Sequence, residues 1–178
     1  RNKGFTFINV VGLAMGIACA VLIFLYVYDE MRYDRYHENS DRIFLVCRQG
    51  RWEGNDYKSG WTTPPMAQAM KDDYPEIESY VRMALWYSEH IFEYGEDKFP
   101  EKSVVIADSS VFDVFTIPFL HGDPKTALTR PRTMVITEST ARKYFGDENA
   151  IGKVVKLAAS TAKFEITGVV ADQPKQSH

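Results

Sequence analysis

Hydrophobic and polar positions are distributed very unevenly along the chain. From Phe5 to Tyr28 the sequence reads FTFINVVGLAMGIACAVLIFLYVY, and no charged residue occurs between Lys3 and Asp29. Over six helical turns this run presents no polar face, which predicts a membrane-spanning helix rather than the core helix of a soluble fold. At 1.5 Å per residue it would extend about 36 Å, enough for a hydrocarbon layer of about 30 Å. A cleaved signal peptide would carry a shorter apolar run and a small-residue cleavage site, whereas Asp29-Glu30-Met31-Arg32 follows here. Cys19 does not read as a lipoprotein cysteine, because the apolar run continues beyond it.

After residue 42 the pattern breaks into short pieces. Ile43–Cys47 is a compact β-prone run, and a polar, glycine-containing stretch follows from Gln49 to Gly60. Thr63 as a cap and Pro64 in the first turn predict a helix to about Tyr74, with Met66, Met70 and Tyr74 on one face and Pro75 ending it. Strands are predicted at Tyr80–Tyr87, His90–Tyr94, Ser103–Ala107 and Met134–Thr137. A short helix covers Val111–Phe115, and a turn opens at Asp123-Pro124 and runs to Leu128. Thr137 caps a helix from Glu138 to Phe145 that ends at Gly146, and Val154–Leu157 with Phe164–Ala171 close the chain as a hairpin-like pair. The fold class is therefore α+β, a transmembrane helix followed by a mixed α/β domain.

Features of the helix add detail. Gly12, Gly16 and Ala20 recur every four residues, a small-residue stripe that permits close approach of another helix in the same longer chain or in another subunit. Tyr26, Tyr28, Tyr33 and Tyr36 collect at its far end, where amphipathic rings suit the headgroup layer. Arg1 and Lys3 precede the span while Asp29 and Glu30 follow it. Positive-inside logic places the N-terminus in the cytoplasm and the remainder outside.

Composition excludes more than it assigns. Net charge is −3 with no long Lys/Arg run, so no nucleic-acid partner is indicated. The two cysteines form no disulfide framework. The four histidines show no helix-face metal spacing, and the acids Asp72, Asp73, Glu76 and Glu78 read as a solvated face. His37 with Asp34, Glu38 and Asp41 reads as a polar turn. Gly146 to Val154 superficially suggests a phosphate loop. However, five residues separate its glycines instead of four, Val154 stands where a hydroxyl is needed, and a helix rather than a strand precedes it. A helix cap followed by a turn is predicted there. No serine has nucleophile-elbow context. No catalytic, cofactor or metal site is expected in this chain. Arg1 opens the sequence and His178 follows a turn-like stretch, so both ends are expected to continue.

The ordered segments resemble the MacB/FtsX-like permease family of bacterial ABC transporters, in the form with a MacB-like periplasmic core domain. The resemblance begins with Phe7-Ile8-Asn9 and Gly12 to Gly16, continues through Asp29-Glu30-Met31-Arg32-Tyr33-Asp34-Arg35-Tyr36-His37 and Asp41-Arg42-Ile43, and takes in Tyr74-Pro75-Glu76-Ile77-Glu78 with Val81-Arg82. Asp108, Val111-Phe112, Val114-Phe115, Gly122-Asp123-Pro124 and Val135-Ile136-Thr137-Glu138-Ser139 extend it. Ala141, Lys143-Tyr144-Phe145-Gly146, Ile151-Gly152-Lys153, Gly168-Val169-Val170, Pro174 and Ser177-His178 complete it.

The resemblance implies a cytoplasmic edge and transmembrane helix over residues 1–28 and an interfacial stalk over 29–42. It also implies the start of a porter-like periplasmic lobe over 43–95, and an inserted β-rich lobe with its exit over 96–178. The rest of the first lobe would lie beyond His178. In such a permease a separate ATPase subunit binds ATP and Mg, a second permease copy or half and a periplasmic protein are further partners, and the location is the bacterial inner membrane. The stalk residues Asp29, Glu30, Tyr33, Asp34, Arg35, Tyr36 and Arg42 would join helix to domain and transmit motion. Two other readings remain open at the level of sequence: a helix-anchored extracytoplasmic sensor and a structural assembly protein.

Overall fold

The computed structural model describes residues 3–31 and 35–174. The chain divides into two units, residues 1–40 with 174–178, and residues 41–173.

The first unit is dominated by helix α1, Lys3–Glu30, none of whose residues is buried. Phe7, Leu13, Leu22 and Phe24 are each about two-thirds exposed or more. A helix that is apolar on every side has no polar face to turn toward water, so its stability requires an apolar surround. Its 28 residues extend about 42 Å, longer than the hydrocarbon layer.

A 3₁₀ turn at Ser40–Arg42, at the boundary of the two units, leads into residues 43–47. The strand expected there is absent. Residues 43–47 join no ladder, and Phe44 and Leu45 are 81% and 80% exposed. Pairing begins one step later, in the stretch expected to be loop: β1, Arg48–Trp52, and β2, Asn55–Ser59, form an antiparallel hairpin. Its turn residues Glu53 and Gly54 both have positive φ, 48° and 85°, which suits the tight turns whose twist matches the strands. Here turn chemistry rather than hydrophobic alternation specifies the strands. Within the hairpin Gly50 lies beneath Tyr57, whose hydroxyl would be 2.7 Å from any added Cβ.

Helix α2, Met66–Asp73, starts later than expected and has no side-chain cap; the Thr63 carbonyl accepts the Met66 N–H at 3.0 Å. Tyr74 is extended, as a residue preceding proline must usually be. Met66 and Met70 are half-buried, while Tyr74 is 56% exposed.

Strand β3, Met83–Trp86, pairs antiparallel with β6, Val104–Ala107. Between them β4, His90–Tyr94, and β5, Asp97–Glu101, form a hairpin around Gly95. The division implied between residues 95 and 96 falls in that turn, and both strands belong to one sheet. After β6 come α3, Val111–Val114, β7, Phe119–Gly122, β8, Thr133–Thr137, α4, Glu138–Phe145, β9, Val154–Leu157, and β10, Lys163–Val170. The six-stranded sheet runs β5-β4-β9-β10-β7, with β8 parallel to β10. Helix α4 lies in the connection between those parallel strands, the arrangement parallel pairing demands.

The core forms between this sheet and α4: Phe92, Ile136, Tyr144, Phe145, Val155 and Ile166 are all buried, Val155 and Ile166 completely. Thr137 caps α4, accepting from the Thr140 N–H at 3.3 Å, and Gly146 ends it with φ 63°. Gly122 and Gly168 face each other across the β7–β10 ladder. A Cβ on Gly122 would lie 2.5 Å from the Thr167 carbonyl, and one on Gly168 would lie 2.6 Å from the Phe119 ring, so both positions admit only glycine without rearrangement. Gly122 also has φ 92°, which favours glycine independently.

Candidate functional site

The residues singled out in the sequence fall into two groups. Gly12, Gly16 and Ala20 lie along one face of α1, and a Cβ on either glycine would meet nothing within 4 Å. The stripe is thus open along the helix. The charges at the ends of α1 oppose its dipole. Lys3 stands in the first turn, where negative charge is favoured; Asp29 and Glu30 stand in the last, where positive charge is favoured, and no basic residue occurs there. Helix stability cannot account for that placement. A charge difference between the two sides of a membrane can.

The stalk group is less compact. Tyr33 and Asp34 lie outside the described residues. Asp29 and Glu30 close α1, and Arg35 is an exposed turn residue. The Tyr36 ring sits 4.0 Å from that of His37, which is buried. Arg42 forms an ion pair with Glu78 at 2.5 Å. Both side chains are mostly exposed, so this contact orients residue 42 more than it stabilises the fold.

A second, more extensively hydrogen-bonded junction joins β3 to the end of β6. The Arg82 backbone N–H, Nε and Nη2 all donate to the Asp108 carboxylate, at 3.0, 2.8 and 2.9 Å. Asp108 returns its own N–H to the Arg82 carbonyl at 3.1 Å. Arg82 Nη1 also reaches the Pro64 carbonyl before α2, and Ser110 Oγ donates to the Tyr80 carbonyl at 2.6 Å. This fork closes the end of the β3–β6 ladder. Both residues carry the family resemblance, but no local pattern in the sequence links positions 26 apart.

The Arg82 guanidinium holds the Asp108 carboxyl below the usual carboxylate range. Since the folded value is the lower one, the stabilisation is present above about pH 4 and is lost as pH falls through the folded value. Asp108→Asn is therefore expected to lower the melting temperature at pH 7, and its difference from the parent should shrink toward pH 3. Thermal melts across that range check this.

Asp172 was missed. Its carboxylate accepts from Ser139 Oγ at 2.6 Å and from the Ser139 N–H at 3.3 Å, filling the N-terminus of α4 just where the chain leaves β10. The Ser139 hydrogen bond draws its pKa down. An acid two residues after a strand carries no local signal of a helix cap 33 residues back.

The segment from Gly146 to Val154 is a helix cap and a turn, with Gly152 at φ 81°. Lys153, aimed at phosphate in a true phosphate loop, instead lies over the rings of Phe145 and Tyr94, at 4.6 and 5.4 Å, and pairs with Glu148. Among the described residues no group of three or more His, Cys, Asp or Glu could hold a metal ion.

Residues 6–178 match the family described as the MacB-like periplasmic core domain. The chain belongs to that family. Its members are periplasmic domains of permease-type ABC transporter proteins, and this chain couples such a domain to one apolar N-terminal helix, as a membrane-anchored protein.

Among solved structures, the MacB-like domain is similar to a domain described as belonging to a permease protein from Porphyromonas gingivalis, with 27% identity, TM-score 0.60, and 72% of this chain and 55% of that one covered. It also matches the periplasmic region of MacB from Actinobacillus actinomycetemcomitans at 22% identity and TM-score 0.46, covering 62% and 50%. The extracellular domain of the noncanonic ABC-type transporter YknZ from Gram-positive bacteria matches at 22% and 0.43, covering 52% and 48%. The chain thus spans about half the length of these solved domains. No curated protein is similar enough to count as a relative.

Proposed function

We propose that this chain is part of the permease subunit of an ABC transporter, in which ATP hydrolysis by a separate ATPase moves periplasmic lobes to export or extract a substrate. The observation that carries the reading is the extent of the family match. It starts at residue 6, inside α1, and runs to residue 178, so the family's pattern takes in the apolar helix as well as the domain.

A helix crossing the membrane can carry a displacement from its cytoplasmic end to its outer end, because its backbone hydrogen bonds are closed within itself. The open stripe at Gly12, Gly16 and Ala20 suits packing against a second span, of this polypeptide or of a second permease copy. The stalk from Asp29 to Arg42 hands the motion on, and the Arg82–Asp108 fork stiffens the strands that receive it. ATP and Mg belong to the partner ATPase in this scheme, and this chain contributes no catalytic group. The setting is the bacterial inner membrane with the domain in the periplasm.

Isolation of the whole protein from membranes in mild detergent tests the reading. A nucleotide-hydrolysing subunit is expected to accompany it, with ATP hydrolysis several-fold faster in the complex than in that subunit alone. Recovery without any ATPase, joined instead to a cytoplasmic signalling module, would make it an anchored sensor.

A further inference from the structure

On β4, β5, β9 and β10, Phe92, Phe99, Val155 and Phe164 belong to the core or pack against it. Strand alternation puts their neighbours on the opposite, outer face of the sheet. Register aligns four of those neighbours in one row across the strands: Lys98 opposite Glu93, Glu93 opposite Lys156, and Lys156 opposite Lys163. At the usual strand spacing the row is about 14 Å long. The Glu93 carboxylate accepts from Lys156 Nζ at 3.1 Å and lies 3.4 Å from Lys98 Nζ. Lys163 is exposed and, among the described residues, has no acid partner. Like charges directly opposite one another on adjacent strands are destabilising, so the Lys156–Lys163 pair works against the fold. The row is also basic in a chain whose net charge is −3. Its next neighbours on the same face are apolar and open: Ile91 and Val154 are 40% and 47% exposed.

We infer that the row Lys98–Glu93–Lys156–Lys163 is a docking site for an acidic polypeptide segment of another protein. Charge complementarity selects this occupant. The row's length matches about four residues of extended chain, whereas a lone phosphate or carboxylate group would meet only one lysine pair. Recognition of an anionic membrane surface takes clusters of about four to eight basic residues, and three lysines with a glutamate among them fall short of that. Glu93 also holds the Lys98 and Lys156 ammoniums in place, which gives a partner chain a fixed spacing to read. Ile91 and Val154 beside the row add the apolar contact of a protein interface. The inference does not depend on the transport reading; a sensor with the same domain would present the same row.

The test uses the whole protein in nanodiscs of zwitterionic lipid, with a fluorescein-labelled glutamate decamer as the probe and anisotropy at low salt as the readout. Lys163→Glu is expected to weaken binding at least tenfold and to melt no lower than the parent, because the new carboxylate would pair with Lys156. Lys71→Glu, the same charge change on exposed α2, should alter binding less than twofold. Lys98→Gln on edge strand β5 is a second row variant, expected to weaken binding at least threefold, so the test stands even if Lys163→Glu folds poorly. No binding by the parent, undiminished binding by the row variants, or an equal loss with Lys71→Glu would overturn the inference. Displacement of the decamer by inorganic phosphate at equal concentration, or its loss in nanodiscs of anionic lipid, would also overturn it, because the row would then serve a single anion or a lipid surface.

Discussion

Under the proposed transport function, inserting Gly-Ser after Tyr36 is expected to abolish transport while ATP hydrolysis by the proposed partner subunit continues. The helix end at Glu30 and the first ion pair of the domain, Arg42 with Glu78, are separated by a short stalk. Two flexible residues add slack of about 7 Å in extended form, enough to absorb a small axial displacement of the helix. They part the ring contact of Tyr36 with the buried His37 but change no residue of α1 or of the sheet core, so a circular dichroism melt matching the parent is the control for folding. Parallel assays of ATP turnover and substrate movement in reconstituted vesicles check it. Undiminished transport would show that motion reaches the periplasmic lobes by another route.

The second large effect concerns the core. Ile166 on β10 is completely buried, at the point where β10 passes from β9 to β8 and β7. Ile166→Ala is expected to cost about 3 kcal/mol, through lost burial and the cavity left behind. For a unit of this size that corresponds to a fall of roughly 10 °C in melting temperature. Val154→Ala, on the exposed face of β9, should change stability by less than about 0.5 kcal/mol. Circular dichroism melts of the two variants side by side separate a core position from a surface one.

Legibility in the sequence followed the source of each element's stability. Helix α4 and strand β4 were readable because their signals are local: a Thr137 cap and Gly146 stop in one, a short β-branched and aromatic run in the other. Strand β5 was not. Asp97-Lys98-Phe99-Pro100-Glu101 offers one large apolar residue and a proline, which only an edge strand tolerates. The hairpin β1–β2 is polar and is fixed by its turn. Ile43–Cys47 erred the other way, because β propensity without a partner makes no ladder. The same limit applies to the candidate site. The small-residue stripe and helix-end charges could be read directly. The pairings that build the junction, Arg42 with Glu78, Arg82 with Asp108 and Ser139 with Asp172, join residues dozens of positions apart and are created only by the fold.

The proposed function requires that α1 cross a bilayer and deliver the domain to its outer side. A short epitope placed at 159–161, in the exposed turn between β9 and β10, measures this directly in spheroplasts. Antibody is expected to bind intact spheroplasts, with binding unchanged when the membrane is permeabilised. Binding that appears only after permeabilisation would put the domain in the cytosol, and recovery of the whole protein in the soluble fraction would show that α1 is not a membrane span.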